Sequence, residues 1–171
     1  MIWKIVSPST RLYFEKMIKK AIRAVWRTLP PQTRLKIVRT TQRKFTASAA
    51  AIVINDRNEV LLLDHVLRPF ATWGLPGGFI ARGEQPEVAL KREIREEVGI
   101  EVTDISLYRV RNHDRHIEIL FTARSNETPQ IKSREIINAG WFSADNLPER
   151  VSPGQKHMIG EILTPNLIKG V

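Results

Sequence analysis

Three glutamates, Glu93, Glu96 and Glu97, stand at i, i+3 and i+4 in the segment Lys91-Arg92-Glu93-Ile94-Arg95-Glu96-Glu97-Val98. On a helix this spacing puts all three carboxylates on one face. Like charges that close repel by roughly a few tenths of a kcal/mol per pair, so a plain surface helix gains nothing from them. Something positive should offset the repulsion. Arg92 and Arg95 are the nearest cations, but the helical projection sends them along other faces. A bound cation is the other candidate, and an all-oxygen donor set suits Mg2+ or Mn2+ better than zinc. Taken alone, the triplet is better explained as a solvated Glu/Arg helix.

The elements around it make the triplet more informative. Pro86 to Val98 reads as a helix, with Pro in its first turn and Gly99 as its stop. Its other face carries Val88, Ala89, Ile94 and Val98, which should pack on a sheet. Upstream, Trp73-Gly-Leu-Pro-Gly-Gly78 reads as a loop whose glycines let the backbone approach a ligand closely. Strands are expected over 47–54, 60–63, 101–111, 116–123 and 139–142, with a turn at Asp56-Arg57-Asn58 and a closing helix over 153–163. Strands around a central helix, with another helix at the end, give an α/β or α+β class.

The full spacing from Gly78 to Ile100 resembles the Nudix box, G-x5-E-x7-R-E-U-x-E-E-x-G-U with U aliphatic. Gly78, Glu84, Arg92, Glu93, Ile94, Glu96, Glu97, Gly99 and Ile100 fill every specified position. Seven of these are single-residue requirements at about 6% background each, so coincidence does not explain the match. The resemblance implies an α/β/α sandwich around a mixed sheet, and hydrolysis of a nucleoside diphosphate derivative by water attack on phosphorus. It implies that Glu93, Glu96 and Glu97 are metal ligands for Mg2+ or Mn2+, with the carbonyl of Gly77 or Gly78 adding another. Arg92 would orient Glu93, Glu84 would brace the joint between loop and helix, and Gly99 would end the helix in the left-handed conformation.

A general base is still required. The resemblance allows either a box glutamate or a later one, and the later candidate is Glu135, six residues before Trp141; Glu118 competes. The resemblance implies a small nucleotide diphosphate as substrate and leaves its identity open. ADP-ribose and nucleoside triphosphates are examples, and a capped RNA 5′ end or a non-catalytic nucleotide- or RNA-binding module is the alternative. Where ADP-ribose and dinucleoside polyphosphate hydrolases carry their extra markers, this chain has Asp114-Arg115-His116 and Ile117-Glu118 instead. Trp73 could stack on a base or serve in packing, and Arg68, Arg111, Arg115 and His116 could contact phosphate or base.

The resemblance does not extend to the start of the chain. The protein has 171 residues and a formal net charge of +9. Residues 1–44 hold twelve Lys/Arg and a single acid, Glu15, a net +11; the remainder is slightly acidic. Residues 1–44 therefore read as a basic helical extension, and 45–171 as the Nudix domain, with Pro30-Pro31 dividing two helices of the extension. From Leu12 to Trp26 apolar residues recur at helical spacing. That stripe is expected to pack on the rest of the chain or to form a homodimer, ahead of binding to an anionic membrane surface or to nucleic acid. A basic, acid-poor start also resembles an organelle presequence in composition. There is no cysteine, so disulfides and a thiolate nucleophile are excluded. No apolar run is long enough to span a bilayer, and a cytoplasmic location is expected.

Overall fold

The computed structural model describes residues 8–68 and 70–164. The chain divides into two compact units, Met1–Lys44 and Phe45–Val171. In the first, α1 (Pro8–Thr28) and α2 (Pro31–Thr41) are separated at Pro30-Pro31, and Pro31 opens α2 where its missing N–H costs nothing. No residue of α2 is buried.

The second unit is built on a mixed sheet of seven strands: β1 (Thr46–Ile54), β2 (Val60–His65), β3 (Trp73–Gly74), β4 (Gly77–Phe79), β5 (Thr103–His113), β6 (His116–Arg124) and β7 (Ile136–Phe142). The order β3-β2-β1-β6-β5 forms the main path, with β4 added to β1 and β7 to β2. Only the β1–β6 pair is parallel; the other named pairs are antiparallel. Helix α3 (Pro86–Val98) and helix α4 (Pro153–Leu163) complete the unit, with a short 3-10 turn at Ala144–Asn146.

Strand alternation sorts the core into two layers. Ala49, Ala51 and Val53 of β1 and Leu61 and Leu63 of β2 pack with Ala89, Leu90, Ile94 and Val98 of α3. The intervening Ile52, Ile54, Val60 and Leu62 pack with Met158, Ile159 and Leu163 of α4. The sheet therefore lies between two helices, the α/β/α sandwich that the box implied. At the start of α4, the Ser152 hydroxyl accepts the Gln155 N–H, and Pro153 follows it.

Two details depart from the sequence reading. Trp73 to Gly78 is not simply a loop: Trp73 and Gly74 pair with β2, while Gly77 to Phe79 pair with β1. Fragments of two and three residues lie below what hydrophobic periodicity can register. The 139–142 strand also begins earlier, at Ile136, past a bulge at Asp64/His65. Among the described residues, no helix is long and apolar enough to cross a membrane.

Candidate active site

The β4–α3 region holds the carboxylates because glycine clears space beneath them. Gly77 has φ +136°, a conformation that side chains rarely adopt, and a Cβ there would collide with the Ala49 carbonyl of β1. A Cβ at Gly78 would run into the Glu93 carboxylate. The small residues of β1 at this point, Ala49 and Ala50, are the register partners of Gly78 and Gly77. The C-terminal end of α3 is closed by Gly99 at φ 67°, whose N–H donates to the Arg95 carbonyl.

A cleft of about 420 Å3 opens here, lined by His65, Arg68, Gly77, Gly78, Glu93, Glu97 and Glu135, with Leu67 and Phe79 at its edges. Glu97 is buried, 9% exposed, and its Oε2 accepts the Gly77 N–H at 3.0 Å. Burial pushes its pKa up to about 7; the Gly77 N–H opposes this, the negative charge of Glu93 adds to it, Arg68 opposes it, and Glu135 adds to it. Glu135 reaches the cleft through the loop before β7. That loop is tied down where the Glu97 carbonyl accepts the Lys132 N–H at 2.9 Å, and the Glu135 carbonyl accepts the Val66 N–H at 2.9 Å.

Arg92 organises the other side. Its guanidinium donates two bonds to Glu84, at 2.9 and 3.0 Å, one to Glu93 at 2.7 Å, and one to the Phe79 carbonyl at 3.1 Å. Glu84 in turn accepts the Ala81 N–H at 2.9 Å. The Glu84 pKa falls to about 2, first because of Arg92 and then because of Ala81. The expectation that Arg92 points along another face of the helix is therefore corrected. Its long side chain folds back toward the loop, where Glu84 and the Phe79 carbonyl meet it. Arg95 does turn away, to pair with Glu101 at 2.5 and 2.8 Å.

The remaining candidates divide. Arg68 lies in the cleft with its guanidinium over Gly74, where any side chain would displace it. Burial lowers its pKa, partly opposed by Glu97 and Glu118, and among the described residues no carboxylate closes an ion pair with it. Glu96 is not brought into the cleft: its side chain is 61% exposed, with only a 3.4 Å contact to Arg92. Trp73 is not a lining residue either. It packs edge-on against Phe142, ring centroids 5.2 Å apart, and joins the α4 side of the core. That is a packing position rather than a base-stacking one. Arg115 is exposed in the β5–β6 turn and does not line the cleft. Arg111 pairs with Glu118, which occupies that carboxylate. His116 is held between the hydroxyls of Thr46, at 2.8 Å, and Ser48, at 2.9 Å.

His65 was missed. It is buried in the cleft wall, its Nε2 has no hydrogen-bond partner, and burial followed by the charge of Arg68 lowers its pKa to about 4. The ring is therefore neutral at physiological pH. Its position was recoverable from parity: Leu61, Leu63 and His65 alternate on β2 toward the α3 side.

The donor set in the cleft is oxygen only apart from His65, and the buried Glu97 has no cationic partner in contact. That chemistry fits a hard divalent cation. Among the described residues, no three acidic or histidine side chains are already gathered at metal-binding distance. Glu93 and Glu97 both line the cleft, one oxygen of each carboxylate held by Arg92 and by the Gly77 N–H respectively.

Comparison with known proteins agrees with the geometry. The NUDIX domain family matches residues 44–161. An 8-oxo-dGTP diphosphatase of Proteus vulgaris is 37% identical over 78 residues, 43% of this chain and 70% of that protein. An 8-oxo-dGDP phosphatase of Mus musculus is 31% identical over 104 residues, 57% of this chain but only 32% of that longer protein. Among solved structures, a MutT NUDIX hydrolase from Burkholderia pseudomallei superposes with a TM-score of 0.62 at 26% identity, covering 70% of this chain and 99% of that one.

Proposed function

The chain belongs to the Nudix family of hydrolases acting on phosphorus anhydrides, and we propose that it cleaves the diphosphate linkage of a nucleoside di- or triphosphate, oxidised purine nucleotides first among them. The substrate preference is supported by the activities in the names of the Proteus and mouse relatives. The observation that carries the reading is the cleft where Glu93, Glu97, Glu135 and Arg68 face one volume. Glu93 and Glu97 would hold divalent cations, Mg2+ or Mn2+, with Glu96, whose side chain is 61% exposed, and the Gly78 carbonyl as the further oxygen donors. When bound, such cations neutralise the polyanionic substrate and lower the pKa of the attacking water.

The chain's own groups do the rest. Arg68 offers fixed positive charge to the diphosphate oxygens. Arg92 keeps the Glu93 carboxylate turned into the cleft, and Gly77 does the same for Glu97 through its N–H. Glu135 takes the proton from the attacking water as the new P–O bond forms and the bridging P–O bond breaks; its carboxylate makes no ion pair among the described residues. The neutral His65 ring offers Nε2 to a substrate atom that reaches the cleft wall.

The test is a hydrolysis panel of 8-oxo-dGTP, 8-oxo-dGDP, dGTP and ADP-ribose with Mg2+, run on wild type and Glu97→Gln. Turnover of at least one member is expected in wild type, falling by about a hundredfold or more in the variant. Background turnover by both proteins across the panel would overturn the reading.

A further inference from the structure

The arm before β1 presents a surface that the cleft does not explain. Helix α1 is two-sided. At about 100° per residue, Lys16, Lys19, Lys20, Arg23 and Arg27 fall within one sector of about 100°. Tyr13, Phe14, Met17, Ile18, Ile22 and Val25 fall within about 180° on the other side. Leu12 lies among the cations, Glu15 and Trp26 at the border, and Arg11, at the start of the helix, at the angle between Ile18 and Ile22. The apolar sector is exposed to solvent: Phe14, Ile22 and Val25 at 61%, Met17 at 52% and Ile18 at 48%. Leu35, Ile37 and Val38 of α2 are exposed as well. A contiguous apolar face of this kind requires something to cover it.

We propose that the arm docks this protein on an anionic lipid surface, with α1 lying in the plane of the interface. Two observations select that occupant. The first is charge: twelve Lys/Arg against one Glu in residues 1–44 call for a negative partner, and two copies meeting through this segment would bring +11 against +11. The second is the pairing of that charge with a wide apolar sector. Phosphate contacts to a nucleic acid would use the cations and leave the apolar side chains in water. A bilayer interface accepts both, with the aliphatic and aromatic groups below the headgroups and the lysine ends reaching back to the phosphates.

The experiment is flotation of the full chain with phosphatidylcholine vesicles, with and without about 30 mol% phosphatidylserine, at low and high salt. Partitioning onto the anionic vesicles is expected to exceed that onto neutral ones by about tenfold or more, and to weaken at high salt. Ile18→Glu with Val25→Glu should abolish it, and Lys16→Gln with Lys19→Gln and Lys20→Gln should weaken it, both leaving nucleotide hydrolysis and the circular-dichroism melting curve unchanged. Equal flotation of wild type and the double glutamate variant would overturn the proposal. So would absence of flotation by a wild-type chain that is dimeric in light scattering, or that binds RNA in a salt-dependent way. None of these outcomes bears on the cleft, whose reading stands or falls on hydrolysis.

Discussion

Helices α1 and α3 carry the same kind of pattern, an apolar face backed by charge, and meet opposite fates. The sheet-facing side of α3 is buried, with Ala89, Leu90, Ile94 and Val98 each 0% exposed; Val88, expected on that side, is instead 56% exposed because it projects nearly opposite Leu90 on the helix. The apolar face of α1 is about half exposed throughout. The difference lies in what each has to pack on. The α3 face meets a sheet whose alternate residues, Ala49, Ala51, Leu61 and Leu63, supply a complementary surface. Residues 8–44 include no strand, and α2 buries nothing. Periodicity specifies a helix and its apolar side; burial depends on a partner surface elsewhere in the chain, or outside it.

Their charged faces differ in the same way. On α3, Arg92 fixes Glu84 and Glu93, and the backbone of Gly77 fixes Glu97. The polar groups are held in place around a cleft. On α1 the cations share one sector of the helix, a charge distribution suited to a diffuse negative surface rather than to one small ligand.

Core truncation should separate the two helices most. Ile94→Ala should cost about 2–5 kcal/mol in chemical denaturation, since it opens a cavity beside fully buried neighbours. Ile18→Ala should stay within about 0.5 kcal/mol. A large effect at Ile18 would mean that the α1 face is buried in solution and would remove the contrast. Next in size is Arg92→Ala. Loss of its charged hydrogen bonds should cost about 2 kcal/mol in the same assay and weaken divalent-cation binding by about 10–100-fold. If cation affinity were unchanged, Arg92 would not be what orients Glu93.

The third contrast is in pH dependence. The Glu97 pKa in the folded chain is raised to about 7 from an ordinary value of 4.5, so the folded state holds a proton that the unfolded state releases in that window. Stability of the cation-free protein should therefore fall as pH rises from about 4.5 to about 7, and this component should be level above it. Glu97→Gln should flatten that slope. An identical slope in wild type and variant would place the titration on another group.

How far this was legible beforehand follows from the physics of each part. The long elements were readable because their periods repeat over many residues; α3 has the bounds that Pro86 and Gly99 indicate, and α4 runs over the expected 153–163. Strands β3 and β4 were not, because two or three residues carry no period. The shared helix face of Glu93 and Glu97 was readable from spacing, but it was the resemblance to the Nudix box that directed attention to them and to Glu135, and the three now line one cleft. The course of Arg92 was not readable, since it depends on how the loop before the helix folds back; His65 shares the parity of Leu61 and Leu63 but lies past the expected end of the strand at residue 63. For Trp73 the sequence left base stacking and packing both open, because an indole ring suits either. In the structure Phe142, far along the chain, takes the ring edge.

The central claim is that the carboxylates of this cleft bind divalent cations. Titration of Mn2+ into the protein, with the free ion followed by electron paramagnetic resonance, tests it without any substrate. Wild type should take up Mn2+ saturably, and a folded Glu93→Gln, Glu97→Gln double variant should lose that uptake. Equal uptake by the two proteins would contradict the account.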